Sequence, residues 1–246
     1  MPMERAINQG RAFVNRNALR VPAGHQTRYC HETPHEYIKQ FTAPAGLARE
    51  YSALIDCQGA CVQEVLGVDW SHGILRLSYD PCAVTLSQFT SADLPTFIAI
   101  LPRIISAIEH CHHRGWVHGD IKPSNLLYVP KNHQVRLIDF GASHRMGTRR
   151  ETFRHWQGTP MFASSAQLNG EGRVEARDDW YSLNKIIEQV MPLERDYTRR
   201  TELERLAKRL CTRISKRNGD ENEKAYTLES RTEWTHHKGT HRGNTL

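Results

Sequence analysis

The chain has 246 residues, of which 39% are hydrophobic and 24% charged, with a formal net charge of +6. That is enough for one large domain or two small lobes around a substantial core, with a soluble globular protein as the default. No run of about 18 apolar residues is present, and the six scattered cysteines form no metal framework, so a membrane span and a zinc scaffold are not expected.

In chain order, MPMERAINQGRAFVNR lacks the apolar core of a secretory signal, and its Arg content only weakly resembles a transit peptide. Residues 1–20 are expected as an extension. From 21 to 40, short alternating stretches broken by Gly and Pro predict strands of a small antiparallel sheet. LAREYSALIDC (47–57) has helical spacing, with Leu47, Tyr51 and Leu54 on one face and Pro44 just before it. CVQEVLGVDW and GILRLSYD, separated by SHG, read as a strand pair. After Asp80 the pattern turns helical. LPTFIAILPRIISAIEHCHHRG predicts a long buried helix ending near Gly115. VHGDIKPSNLLYV and QVRLIDFGAS are two short β-rich segments. EARDDWYSLNKIIEQVM, stopped by Pro192, and TELERLAKRLCTRI are further helices. Residues 21–80 are thus expected as a small β-rich lobe and 81–216 as a larger helical lobe. Residues 217–246 are expected as a polar, partly disordered tail.

Arginine is concentrated in RDYTRRTELERLAKRLCTRISKR (195–217). Such a face could meet an acidic protein surface, and charge leaves nucleic acid open as a partner. A solvated helix face is the simpler reading. Free thiols point to a reducing, cytoplasmic setting, with delivery into a host cell as the alternative.

The chemistry concentrates in VHGDIKPSNLLY (117–128). Asp120 and Asn125 lie in a stretch where Pro123 forbids a regular helix. Further on, LIDFGAS places Asp139 after an apolar strand. Phosphoryl transfer needs an anion to orient the acceptor hydroxyl, a Lys against the developing charge, and hard oxygen donors for magnesium. Asp120, Lys122, Asn125 and Asp139 supply that set.

HGDIKPSN and DFG resemble the catalytic and magnesium loops of eukaryotic-like protein kinases. Lys122 resembles the lysine of Ser/Thr kinases, and GTPMFASSAQLNG (158–170) and ARDDWYSL (176–183) follow in the family's order. The segment lacks the usual Pro-Glu, a form similar to the casein kinase 1 and vaccinia-related kinase group. The resemblance implies a two-lobed α+β fold and a protein Ser/Thr kinase using ATP with Mg2+, or alternatively Mn2+. A protein substrate and autophosphorylation are also implied. A pseudokinase or nucleotide-binding scaffold is the alternative.

Carried over to this sequence, the resemblance makes Asp120 the acceptor of the hydroxyl proton and Lys122 the partner of the γ-phosphate. Asn125 and Asp139 become metal ligands, and Asp179 the holder of the catalytic-loop backbone. Thr159 would hydrogen-bond near Asp120 and Lys122 and favour Ser/Thr acceptors. Lys39 would grip the nucleotide phosphates, braced by Glu50, with Glu64 as the other candidate. Ser78, Tyr79 and Asp80 would offer backbone groups to adenine. One glycine, Gly24, stands in place of a glycine-rich loop. Tyr37 stands where a small residue is usual, which is expected to narrow the adenine slot or shift the strand register.

His110, His112 and His113 read as helix-end histidines facing the dipole. His118 is expected to pack behind the catalytic loop, and Cys111 in the core. Many kinases carry Arg at the position of Gly119, where it pairs with a phosphorylated loop. Gly119 therefore implies activity without a phosphate on Ser143, Thr148 or Thr152.

Overall fold

In strand β2 (Glu36–Phe41) successive side chains point to opposite faces, so Tyr37 and Lys39 share one face. The computed structural model describes residues 25–29, 35–153 and 157–215, with the backbone alone for 25–29. Gly24, and the tail expected beyond residue 216, lie outside them. β1 (His25–Tyr29), β2, β3 (Val65–Asp69) and β4 (Ile74–Ser78) form an antiparallel sheet in the order β1-β2-β4-β3. Lys39 sits opposite Leu75 of β4 and Thr27 of β1. The β3–β4 turn needs Gly73. Its φ is +66°, and a Cβ there would lie 2.6 Å from Phe41 O.

Helix α1 spans Pro44–Asp56, beginning on a proline whose missing N–H costs nothing at a helix start. It buries Leu47, Glu50, Ala53 and Leu54, so Glu50 lies on the apolar face. The expected strand CVQEVLGVDW is shorter than its pattern suggested. Only Val65–Asp69 pairs in this sheet, and Val62 before it bridges Leu137 in parallel instead.

The larger lobe is built on α2 (Leu94–His113), which runs through Pro102 without breaking. By length and composition α2 could cross a membrane. Its Phe97, Ile98, Ile100, Leu101, Ile104 and Ile108 are instead buried in the protein core. Each fully buried side chain of that size contributes about 1.5–3 kcal/mol. Against it pack a three-stranded sheet, β5-β7-β8 (Val84–Thr85, Leu126–Val129, Gln134–Leu137), and helix α4 (Ala176–Val190). Between them lie β6 (Trp116–Val117), its antiparallel partner β9 (His144–Arg145) and the short α3 (Ser165–Asn169). Helix α5 (Tyr197–Ser215) closes the lobe with Leu203 and Leu210 buried. The expected α+β architecture, a small antiparallel lobe followed by a helical one, is the fold observed.

Arginines of the basic stretch are partly used within the lobe. Arg199 pairs with Glu194 and Arg200 with Glu204. Arg213 meets Glu109 at 2.8 Å and lies over the Trp180 ring.

Candidate active site

Between β6 and β7, two successive backbone amides of VHGDIKPSN are held by one carboxylate. Asp179, in the first turn of α4, accepts the N–H of His118 at 2.9 Å and that of Gly119 at 2.8 Å. His112 Nε2 meets the same carboxylate at 2.8 Å. Burial alone would push this carboxyl up. The His112 contact, the nearby imidazoles and the Gly119 N–H more than reverse it, so Asp179 is held below the usual range. Gly119 makes the bend possible, with φ +77° and a position for Cβ only 2.7 Å from Ala142 O. His118 packs behind the loop, as expected. Its Nε2 donates to Ile138 O at 3.1 Å, its Nδ1 accepts the Asp120 N–H, and its ring lies edge-on to Phe140.

These contacts present Asp120, Lys122 and Asn125 together. Pro123 opens the 3-10 turn Pro123–Asn125, which turns Asn125 back onto Asp120. Asn125 Nδ2 donates to Asp120 O at 2.9 Å and to Oδ2 at 3.2 Å. Lys122 Nζ bridges Asp120 Oδ2 at 2.5 Å and Thr159 Oγ1 at 3.0 Å. Among the described residues Asp120 Oδ1 is buried without a hydrogen-bond partner. Such an oxygen costs about 1–3 kcal/mol unless something satisfies it, and an acceptor hydroxyl would.

Across the cleft, Lys39 Nζ lies 2.6 Å from Glu50 Oε1 and 2.7 Å from Asp139 Oδ1. Glu50, and not Glu64, is therefore the carboxylate that meets Lys39. Burial alone would lower the lysine ammonium, but Asp139 and Glu50 more than offset it and the net shift is upward. Burial pushes Glu50 up, and Lys39 opposes that. Asp139 has left-handed backbone, φ 64° and ψ 70°, which an Asp tolerates and which turns Phe140 into the core.

Asn125 of the first group, and Lys39 and Asp139 of the second, line a cleft of about 380 Å3 together with Tyr37, Tyr79 and Asp80. Ser78 also lines it, yet its N–H donates to Glu64 O and its carbonyl accepts Gln63 Nε2. The Tyr79 N–H is spent on His35 O at 2.6 Å. Ser78 thus lines the cleft with its N–H and one lone pair of its carbonyl already paired within the small lobe. Asn125 and Asp139 reach the cleft with carboxamide and carboxylate oxygens. Hard donors of this kind fit magnesium, which needs few protein ligands beside phosphate and water.

Several site residues escaped the sequence reading. His112, expected to cap a helix end, instead buttresses Asp179. Asp178 pairs with the buried Arg150, and Gln167 Nε2 donates to Gly119 O at 3.1 Å. The signal available was the doublet Asp178–Asp179, of which only one member had an assigned role. Ser143, on which no phosphate was expected to be needed, is fully buried and donates to His118 O at 3.0 Å.

Residues 82–236, more than half of the chain, match the family model described as protein kinase domain. The chain is 36% identical over 91 residues to a protein named as a probable serine/threonine-protein kinase in Streptomyces coelicolor, covering 36% of this chain and 13% of that one. It is 33% identical over 86 residues to the serine/threonine-protein kinase Kist of Mus musculus, covering 35% and 18%. It is 30% identical over 115 residues to the serine/threonine-protein kinase PknB of Mycolicibacterium smegmatis, covering 44% and 18%. The matches thus span less than a fifth of each of these relatives.

Proposed function

Since this chain belongs to the protein kinase domain family, we propose that it is a protein Ser/Thr kinase that transfers the γ-phosphoryl group of ATP to protein hydroxyls. One observation carries the reading. Lys122 joins Asp120 to Thr159 on one side of the cleft, while Lys39 joins Glu50 to Asp139 on the other.

Asp120 Oδ1 takes the proton of the acceptor hydroxyl as its oxygen forms a bond to the γ-phosphorus. The bond from that phosphorus to the bridging oxygen breaks, and ADP leaves with the electron pair. Lys122 sets its charge against the transferred group, and Thr159 shapes the place where a Ser or Thr side chain enters. Lys39, braced by Glu50, orients the remaining phosphates. Asn125 and Asp139 would hold a magnesium or manganese ion, which neutralises phosphate charge when bound.

The HGDIK loop and the Ser-containing segment that replaces Pro-Glu support placing the chain near casein kinase 1 and the vaccinia-related kinases. Free cysteines at 57, 61, 82, 111 and 211 support a reducing intracellular setting. An acidic protein surface fits the exposed basic side chains of α5.

A second reading, a nucleotide-binding scaffold without turnover, is motivated by Tyr37 in the cleft wall and by the Ser78 backbone already engaged. Transfer of radiolabelled phosphate from ATP separates the two. Wild type is expected to label itself or a mixed protein substrate. Asp120→Asn and Asp139→Ala should each lose at least about a hundredfold, about 2.7 kcal/mol in barrier. An inert wild type that is nonetheless stabilised by magnesium-ATP would establish the scaffold.

A further inference from the structure

The segment between Asp139 and α4 is fastened by ion pairs drawn from the chain itself. Arg150 lies in a 3-10 turn (Arg150–Thr152) and is 4% exposed. Its guanidinium donates to Asp178, which is 2% exposed, and to Glu171 O at 2.8 Å. Asp178 is also reached by Ser164 Oγ at 3.1 Å and by the Glu175 N–H at 3.0 Å. Ser164 caps α3, whose Gln167 holds Gly119 O beside Asp120. Asp178 precedes Asp179, the residue that pins the catalytic loop. Two consecutive carboxylates on one helical turn therefore hold the two strands of chain that carry Thr159 and Asp120.

Backbone pairing continues the fastening. Gly147 N–H donates to Val174 O, Val174 N–H to Thr148 O and Arg150 N–H to Gly172 O. Arg145 binds Asp56 at the end of α1, and Arg49 of α1 donates to Gln157 at 2.7 Å. The hydroxyls of Thr148 and Thr152 are both turned onto main-chain carbonyls, of Arg145 and Arg149.

We infer that the buried Arg150–Asp178 pair takes the place of a phosphate in ordering this segment, making Arg150 a positioning residue of a kinase competent as synthesised. The inference rests on the phosphotransfer reading above and names what performs the ordering. A buried guanidinium–carboxylate pair supplies the directed, charge-assisted hydrogen bonds that a phosphate would otherwise bring. Loss of one partner leaves a buried charge unpaired, so the segment must give way.

The test uses the full chain co-expressed with a phosphatase and shown by intact mass to carry no phosphate. Peptide kcat and KM are measured alongside the affinity for magnesium-ATP from a fluorescent-nucleotide titration. Unphosphorylated wild type should work within twofold of protein preincubated with ATP. Arg150→Met should lose at least tenfold in kcat/KM for peptide while its nucleotide affinity stays within twofold. Arg150→Lys, which keeps the charge and loses the forked geometry, should fall between them. Wild type active only after phosphorylation, or Arg150→Met at the wild-type rate, would overturn the inference. Should Arg150→Met fail to fold, Arg150→Lys decides: an unchanged kcat/KM for peptide refutes it. A wild type that transfers no phosphate in either state counts against the kinase reading itself.

Discussion

Asp179 concentrates three contacts on one buried carboxylate: two loop amides and the His112 imidazole. Asn in its place keeps the shape but loses the charge and one acceptor oxygen. Asp179→Asn is expected to cost about 3 kcal/mol in stability, since hydrogen bonds to charged groups are worth about 1.5–3 kcal/mol. It should also lower kcat more than tenfold while sparing nucleotide affinity. Denaturant titration beside steady-state kinetics checks both, and an unchanged kcat would remove Asp179 from the positioning of Asp120. Legibility at this scale followed sequence distance. Asp120, Lys122 and Asn125 were readable because they share one short loop. Glu50 was readable because it is the glutamate on the amphipathic helix that follows Lys39. Arg150 and Asp178 meet across 28 residues, and His112 and Asp179 across 67. Each is an ordinary residue type in its own segment, so only folding shows the pairing.

The segment from Asp139 to α4 yields two predictions as an element. Thr148→Ala with Thr152→Ala should leave turnover within about twofold, because both hydroxyls only close local turns. A loss beyond tenfold would show that one of them carries a needed phosphate. His144 of β9 stacks on Phe153, and burial together with Arg49 and Arg150 lowers its pKa to about 4. Between its unfolded value near 6.5 and about 4, the unfolded state binds the extra proton. The contribution of His144 is therefore complete above about pH 6.5 and is lost as pH falls through 4. His144→Phe should flatten the fall in unfolding stability over that window, and an unaltered pH slope would refute the assignment. Among the other elements, the long helix and the strand pairs were visible as apolar periodicity. The stretch before Val65 was read as part of the small-lobe strand, whereas Cys61 and Gln63 pair their backbone with Leu137 of β8 instead.

Across the whole molecule, the α+β plan was legible from the switch of pattern after Asp80. The way the cleft closes on itself was not. Lys39 and Asp139 are 100 residues apart in sequence and touch only when both lobes are assembled. Magnesium-ATP at a hundred times its dissociation constant should raise stability by about 2.7 kcal/mol, read as an upward shift in Tm, and Lys39→Met should lose most of that gain. Lys39 shares its ammonium with two carboxylates, Glu50 and Asp139. A nucleotide stripped of its counter-ion brings about four negative charges close to these carboxylates, which a bound cation would offset. Bare ATP in chelator should therefore bind at least about tenfold more weakly than ATP with its cation, whatever the turnover. On this expectation the Lys39–Glu50–Asp139 triad favours the triphosphate that arrives with a metal over the one that arrives without it, before any chemistry begins.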